Sequence, residues 1–204
     1  MLNIRLANDG DASAIAAIYA PYCESSVISF EDTAPSVEEM ARRVASIGAT
    51  KPWIVLEDNG AVAGYAYAAA HHERAAYRWS VSTAIYIDRA RHRRGAGRAL
   101  YTTLFALLRA LGYRQATAGI TLPNPASVGL HSAFGFAPVG VYRRIGFKRG
   151  SWHDVGWYQA EIQPGTDTPA EPRSIREIVG TPEWHDAVTR GLELYNENRR
   201  TKNE

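Results

Sequence analysis

The sequence predicts a mixed α/β (α+β) fold, and three observations predict it. Strand-like and helix-like segments alternate along the 204 residues. Asn59-Gly60 separates two strand-like runs, which is the strongest short-range signal for a β-hairpin. A further strand-like run at 81–88 is followed by a glycine- and arginine-rich turn and then by leucines at helical spacing. The pattern therefore indicates strands and helices packed in one domain, with a hairpin and a crossover helix.

The first half of the chain is predicted to hold three strands and two helices. The run at 3–7 is strand-like, and the segment 9–20 has its isoleucines at helical spacing. A serine and a glutamate three residues apart form a capping box at the start of 36–47, which reads as the second helix. The hairpin strands cover 53–57 and 61–69.

The second half continues the alternation of strands and helices. After the strand at 81–88, an apolar stripe predicts a helix that stops near Gly112. Asn124 and Pro125 are a suitable N-cap and first-turn pair for a short helix. The predicted elements are a helix at 98–111, a strand at 115–121, a helix at 125–134, and strands at 138–147 and 152–162.

The chain divides by composition into residues 1–162 and a tail at 163–204. Proline, glycine and polar residues at 163–172 are typical of a linker. Thr181-Pro182-Glu183 then opens an amphipathic helix, which we expect to dock on its own domain or on a sister subunit. Residues 196–204 are expected to fray. The apolar stripe of this helix consists of Trp184, Val188, Leu192 and Tyr195.

Composition is typical of a compact globular protein, and 204 residues can bury one full core. A net charge of +2 gives no case for binding nucleic acid. The single cysteine, Cys23, excludes an intrachain disulfide and fits a reducing compartment. No stretch reaches membrane-spanning length and no basic-apolar leader is seen, so we expect a cytoplasmic protein without a membrane partner.

The turn before the predicted helix at 98–111 has the composition of an anion-binding site. Glycines let backbone N–H groups approach a phosphate, and a helix N-terminus adds partial positive charge. Arginines supply further donors for a pyrophosphate. A solvated basic surface is the alternative for such a turn taken alone. The turn reads His92-Arg93-Arg94-Gly95-Ala96-Gly97-Arg98.

Two segments together resemble the GNAT superfamily of N-acetyltransferases. The turn resembles its pyrophosphate loop, Gln/Arg-x-x-Gly-x-Gly/Ala, with His92 as a departure at the first position. The segment 124–136 resembles its Asn-x-x-Ala/Ser…Tyr/His-x-x-x-Gly-Phe segment. The resemblance implies a mixed, mostly antiparallel central sheet flanked by helices, here with a C-terminal helical extension, and acetyl-CoA as co-substrate.

Three further runs resemble the phosphinothricin acetyltransferases within that superfamily. They are residues 76–81, 119–124 and 146–157, and the likeness extends from about Ile4 to Glu161. This resemblance implies acetylation of the α-amino group of a small amino acid or analogue, such as phosphinothricin or methionine sulfoximine. It also implies direct transfer in a ternary complex and a homodimer.

The resemblance assigns the cofactor-binding residues by position. The loop amides would face the pyrophosphate, and the strand before the loop would lie beside the pantetheine arm, with a backbone N–H at its end as the oxyanion donor. Asn124 would hydrogen-bond the arm, with Ser127 one turn further on. The assigned residues are Ile85, Tyr86, Ile87, Arg93, Arg94, Gly95, Ala96, Gly97, Arg98, Asn124 and Ser127.

His131 is the candidate group for the departing thiolate. The superfamily mostly has tyrosine here, and the phosphinothricin enzymes have histidine. An imidazole titrates near neutrality and can give a proton or a hydrogen bond to a leaving sulfur. A histidine satisfied at a helix–sheet interface is the alternative for this residue type.

The base of the reaction is where this sequence departs from its relatives. The phosphinothricin enzymes have a glutamate at the position of Ser82, and a serine hydroxyl is no base at neutral pH. Three explanations remain open. Ser82 could order a water chain to solvent, Glu31 could substitute as the carboxylate, or catalysis could be lost, leaving a silent acyl-CoA-binding module.

The acceptor is expected to be held by Arg74 and Tyr77, with Phe30 and Glu31 lining the same pocket. A guanidinium binds an α-carboxylate in bidentate fashion. Acetylation of protein N-termini or lysines is a further alternative, disfavoured because nothing in the sequence indicates an acidic groove. No metal is expected. His71-His72 lack further ligands at a suitable spacing and are interpreted as surface histidines.

Overall fold

The computed structural model describes residues 2–200, and within them the predicted α/β fold is confirmed. Seven strands form one sheet, in the order β1-β2-β3-β4-β5-β7-β6. All neighbouring pairs are antiparallel except β4 and β5. The strands are β1 Leu2–Leu6, β2 Trp53–Asp58, β3 Ala61–Ala70, β4 Ser80–Ile87, β5 Gln115–Leu122, β6 Ala137–Lys148 and β7 Ser151–Glu161.

Five α-helices cover the two faces of this sheet. Successive side chains of a strand point to opposite faces, so each face builds its own core. One core packs α1 and α2 against Trp53, Val55 and Tyr65, and the other packs α3 and α5 against Ile54 and Leu56. The helices are α1 Ala12–Glu24, α2 Val37–Gly48, α3 Ala96–Ala110, α4 Pro125–Ala133 and α5 Pro182–Arg200.

The first helix departs from its predicted bounds at both ends. A 3-10 turn at Asp9–Asp11 precedes it, and the helix itself continues through Pro21 to Glu24. Burial explains the extension, because Tyr22 and Cys23 lie in the core below this last turn. The hairpin turn is confirmed. Asn59 and Gly60 have φ of 55° and 80°, as a type I′ turn requires.

The C-terminal helix docks on its own domain, against α3 and β1. Thr103 donates a hydrogen bond from its Oγ1 to the Ala187 carbonyl at 3.3 Å. Gly191 allows the close approach, since a Cβ there would lie 2.1 Å from Thr103 Oγ1 and 2.9 Å from the Ala99 carbonyl oxygen. Of the predicted stripe, Trp184 and Tyr195 are buried, and Val188 and Leu192 pack against the same core.

The predicted fraying of 196–204 is wrong for the part that the structure describes. The helix continues to Arg200. Arg199 pairs with the carboxylate of Asp58 at 2.9 Å, and the same buried carboxylate receives Arg91 at 2.8 Å. An ion pair at its last turn explains why the helix persists. Residues 201–204 lie outside the described residues.

Candidate active site

The centre of the sheet opens where β4 and β5 diverge. Their parallel pairing ends at Ser82↔Thr117, so backbone groups of β4 beyond Ser82 that face β5 have no strand partner. The opening is a wedge-shaped cavity roofed by α4. Its lining residues are Ile28, Thr83, Ala84, Ile85, Tyr86, Ala118, Gly119, Ile120, Thr121, Asn124, Ser127 and His131.

The glycine-rich turn places a bare helix N-terminus after β4. Gly95, with φ of 86°, is the N-cap residue of α3 and offers no side-chain cap. The first amides of a helix have no partner within it and carry the positive end of its dipole. The Arg93, Arg94 and Arg98 side chains are solvent-exposed around this turn. Ala96 is buried, and a Cβ on Gly97 would lie 3.3 Å from Leu130 on α4. The turn therefore fits a pyrophosphate.

The sequence-predicted cofactor residues do not all lie in the wedge. Ile85, Tyr86, Asn124 and Ser127 line it. Asn124 also caps α4, its Oδ1 accepting from the Ser127 amide at 3.1 Å. Ile87 is not among the lining residues. Its carbonyl accepts a hydrogen bond from the Tyr22 hydroxyl at 2.7 Å.

His131 is buried in the wall of the wedge, with both ring nitrogens engaged. Nδ1 lies 2.8 Å from the Ser127 carbonyl, which can only accept, so Nδ1 carries the hydrogen. Nε2 therefore accepts from the hydroxyl of Tyr101 at 2.9 Å. Burial lowers the pKa of His131 below its ordinary value, partly offset by the Ser127 hydrogen bond. Sequence reasoning missed the contact between Tyr101 and His131, because Tyr101 belongs to a different helix, α3.

A second cavity adjoins the wedge, and we call it the acceptor cleft. The two cavities share four lining residues, Ile28, Tyr86, Gly119 and Thr121. Phe30 covers Gly146 so closely that a Cβ there would lie 2.2 Å from its ring. The remaining lining residues of the acceptor cleft are Tyr19, Ser29, Phe30, Glu31, Tyr142, Ile145, Val155 and Trp157.

Glu31 lies at the acceptor cleft with its carboxylate already paired. Arg43 holds both oxygens, at 2.8 Å and 3.1 Å, and the Tyr19 hydroxyl donates to one of them at 2.9 Å. The hydrogen bonds from Arg43, against a smaller effect of burial, lower the pKa of Glu31. A carboxylate stabilised in this way is a poor proton acceptor.

Lys148 holds the backbone of the segment that forms one wall of the acceptor cleft. It is 6% exposed, and its Nζ donates to the carbonyls of Ser29 at 2.8 Å and Glu31 at 2.7 Å. A third hydrogen bond reaches the Cys23 carbonyl. Sequence reasoning missed this lysine, because a lysine in a strand pattern reads as a surface residue.

Ser82 lies at the last β4–β5 pair and contacts a histidine that the sequence did not connect with it. His71 Nδ1 is 3.1 Å from Ser82 Oγ and 3.0 Å from Thr117 Oγ1. The two hydroxyl oxygens are 3.1 Å apart. Of the two histidines interpreted as surface residues, His72 is exposed, whereas His71 is half-buried and contacts Ser82 and Thr117.

Arg74 and Tyr77 do not meet the other predicted site residues. They belong to the 3-10 segment before β4 and line a separate cavity with Lys51, His72 and Glu171. The Tyr77 ring contacts the rings of His71 and His72, at centroid distances of 5.7 Å and 5.1 Å. Because they precede β4 in sequence, they lie at the N-terminal end of that strand, away from the wedge.

Residues 2–200 contain neither a candidate metal site nor a helix suited to crossing a membrane. No three His, Cys, Asp or Glu side chains come together there as a candidate metal site. None of the described helices is both long and apolar enough to cross a membrane.

Splayed parallel strands beside an uncapped helix N-terminus are suited to a ligand that has a pyrophosphate and an extended arm. A family model described as "Acetyltransferase (GNAT) domain" matches residues 4–157. The chain belongs to this family. It is accordingly an N-acyltransferase that uses acetyl-CoA, as the resemblance implied.

Named relatives and solved structures agree with the family. Phosphinothricin N-acetyltransferase of Streptomyces viridochromogenes is 36% identical over 178 residues, covering 87% of this chain and 95% of that protein. The L-methionine sulfoximine/L-methionine sulfone acetyltransferase of Salmonella typhimurium is 30% identical, covering 79% and 95%. The crystal structure of a GNAT superfamily phosphinothricin acetyltransferase from Sinorhizobium meliloti in complex with AcCoA has a TM-score of 0.79. It is 39% identical and covers 84% of this chain and 95% of that one.

Proposed function

We propose that the protein transfers an acetyl group directly from acetyl-CoA to the α-amino group of a small amino acid or analogue. Phosphinothricin and methionine sulfoximine are examples of such an acceptor. The observation that carries the proposal is the continuity of the wedge with the acceptor cleft through Ile28, Tyr86, Gly119 and Thr121. A thioester in one and an amine in the other would meet beside Gly119 and Tyr86.

The cofactor would be held along the wedge, by residues of β4, the turn and α4. The amides of Gly95 to Arg98 would face the pyrophosphate, with Arg93 or Arg94 alongside. Beyond Ser82 the unpaired edge of β4, including Ile85 and Tyr86, offers N–H and C=O groups to the pantetheine arm. A free N–H on this edge also suits the oxyanion. When bound, acetyl-CoA supplies the activated acyl group.

The acceptor class rests on the relatives and on the character of the cleft. Two of the relatives named above act on phosphinothricin or on methionine sulfoximine and sulfone, by their names. The cleft is lined by aromatic and hydroxyl side chains, including Tyr142, Trp157 and Thr121, which suits a small amphipathic molecule better than a peptide. Phe30 and Glu31 would line the acceptor pocket in this proposal.

Proton removal from the substrate ammonium would proceed through Ser82. Among the three explanations, the alternative base Glu31 is disfavoured, because its ion pair with Arg43 lowers its pKa. The Ser82 hydroxyl instead belongs to a hydrogen-bonded group with Thr117 and His71. A hydroxyl in such a group can pass a proton on without ionising itself.

His131 would stabilise the leaving sulfur by a hydrogen bond. Tyr101 occupies Nε2, so the hydrogen is on Nδ1, beside the wedge-lining Ser127. Because its pKa is lowered by burial, the imidazole is neutral at pH 7. To donate to the developing thiolate, the Nδ1–H would leave the Ser127 carbonyl, which accepts it at 2.8 Å. This donation needs no prior change of charge.

A homodimer and a cytoplasmic location are part of the proposal. The edge strand β6 and its neighbour β7 expose apolar side chains, which mark an interaction surface. Cys23 is a free, buried thiol, as a reducing compartment allows. The exposed side chains are Val139, Val141, Tyr142, Ile145, Phe147 and Trp152.

A second function, silent acyl-CoA binding, is favoured only by the serine at position 82. The test of both is thiol release from acetyl-CoA across a panel of amines. The panel contains phosphinothricin, methionine sulfoximine, methionine sulfone, the standard amino acids, a polyamine and a basic peptide. We expect release with one class of α-amino acid. Silence across the panel, with acetyl-CoA bound tightly, would favour the binding module.

A further inference from the structure

His71 directly follows β3. Antiparallel pairing of Ala69 with Ser82 and Ala70 with Val81 brings the residue after β3 over the β4–β5 junction. Its Nδ1 is within hydrogen-bond distance of Ser82 and Thr117, at 3.1 Å and 3.0 Å. The side chain is half-buried, so it contacts both the interior and solvent.

The hydrogen bonds around these three residues admit a donation from Ser82 to His71. Thr117 donates from Oγ1 to the Val81 carbonyl at 3.2 Å, which uses its only hydrogen. In the tautomer with its hydrogen on Nε2, His71 Nδ1 accepts from the Ser82 hydroxyl, whereas in the other tautomer Nδ1–H donates to Thr117 Oγ1. The relay uses the first tautomer, and the lone pairs of Ser82 Oγ remain open to a donor in the cleft. This arrangement is a hydroxyl–imidazole pair, in which the Ser82 hydroxyl lies between the cleft and the basic nitrogen of His71.

The space at His71 adjoins the acceptor cleft. A cavity lined by His71 and Thr117 has Tyr142 and Trp157 in its wall, and both residues also line the acceptor cleft. Thr117 and Gly119 lie on the same face of β5, one pleat apart. A water in this space can therefore join the substrate ammonium to Ser82.

We propose that His71 is the proton acceptor of the acetyl transfer, acting through Ser82. This inference rests on the proposed function. An N–H bond of the substrate ammonium breaks, directly or through one water, and its proton goes to Ser82 Oγ. The hydroxyl hydrogen of Ser82 moves to His71 Nδ1. The net change is ammonium plus imidazole to amine plus imidazolium, and the imidazolium loses its proton to solvent.

Three tyrosine side chains lie beside His71. The titratable groups that face it are Tyr77 from the segment before β4, Tyr142 from β6 and Tyr158 from β7. Within residues 2–200, no ion pair to His71 is found. The imidazole is the side chain that ordinarily changes charge nearest to neutral pH.

The test compares His71→Gln with His72→Gln, a matched change at the adjacent histidine, which does not contact Ser82. We expect His71→Gln to lower kcat at pH 7 by about 100-fold or more, with an unchanged Kd for acetyl-CoA. The acidic limb of the kcat/KM profile should disappear, and the rate should rise with pH as solvent deprotonates the amine. His72→Gln should keep the wild-type rate and profile.

Two further variants separate catalysis from folding. In His71→Ala, added imidazole should restore part of the rate, which a structural role would not allow. Ser82→Ala should lower kcat as much as His71→Gln does. The double variant with both changes should be no slower than either single variant. An active wild type with an unchanged His71→Gln profile would overturn this inference alone. A wild type that releases no thiol with any amine would overturn the proposed function as well.

Discussion

At the scale of single residues, His131 links burial to pH. Its folded-state pKa lies below the ordinary 6.5 because burial disfavours the imidazolium. The unfolded chain therefore binds more protons than the folded protein in the window below pH 6.5, and stability falls as the pH falls through it. Other carboxylates also have a lowered pKa, among them Asp11 and Glu31. Their contribution to stability is lost at lower pH, below their ordinary pKa values of 3.8 and 4.5.

The corresponding prediction concerns stability between pH 5 and pH 7.5. Urea denaturation of the wild type should give a free energy of unfolding that declines towards pH 5. His131→Gln should flatten that decline, because the variant has no buried imidazole whose protonation opposes folding. His185→Gln, at an exposed histidine, should leave the decline unchanged. A wild-type curve that is flat over this range, or equal slopes in all three proteins, would contradict the account of His131.

A second residue-scale prediction concerns Ser82→Glu. A glutamate here restores a carboxylate base at the cleft, so kcat near neutral pH should rise, within about tenfold, since the serine relay already supplies part of that function. Steady-state rates and the Kd for acetyl-CoA are the measurements. A rate that drops while the acetyl-CoA affinity is unchanged would count against a relay through Ser82.

At the scale of elements, local patterns predicted most of the fold. The Asn59-Gly60 turn, the Ser36 cap of α2 and the Asn124 cap of α4 all form as expected, because each depends on residues close in sequence. The bounds of α1 were not predictable in this way, since distant core contacts of Tyr22 and Cys23 extend it past Pro21.

The candidate site could be predicted from the sequence only where its residues belong to one continuous motif. The wedge residues of β4 and α4 were found by motif, but three contacts depend on strand pairing and packing between distant segments. These are His71 against Ser82, Tyr101 against His131 and Lys148 against Ser29. Arg74 is the opposite case, because nearness in sequence to β4 leaves it in a separate cavity.

The docking of α5 gives a prediction at this scale. Gly191→Ala should destabilise the protein by about 1–3 kcal/mol, because its Cβ would overlap Thr103 and the Ala99 carbonyl. Gly48→Ala is the matched control, a helical glycine with nothing within 4 Å, and should stabilise by up to about 1 kcal/mol. Thermal denaturation measures both. Equal effects of the two changes would contradict the observed α3–α5 contact.

At the scale of the whole molecule, the apolar face of β6 and β7 predicts a dimer. Light scattering should give about twice the chain mass of 22.5 kDa. Phe147 is 60% exposed and packs on Trp152, so Phe147→Glu should shift the protein towards the monomer. Val37→Glu, at a 43% exposed apolar residue on α2, is the control and should stay dimeric. A monomeric wild type would contradict the homodimer.

The central claim concerns the whole cleft: wedge and acceptor cleft hold both substrates at once, and the acetyl group passes directly between them. The most direct test varies acetyl-CoA and the best amino acid together and measures initial rates of thiol release. Direct transfer predicts double-reciprocal lines that intersect. Parallel lines, with an acetylated enzyme detected by mass spectrometry, would contradict transfer in a ternary complex.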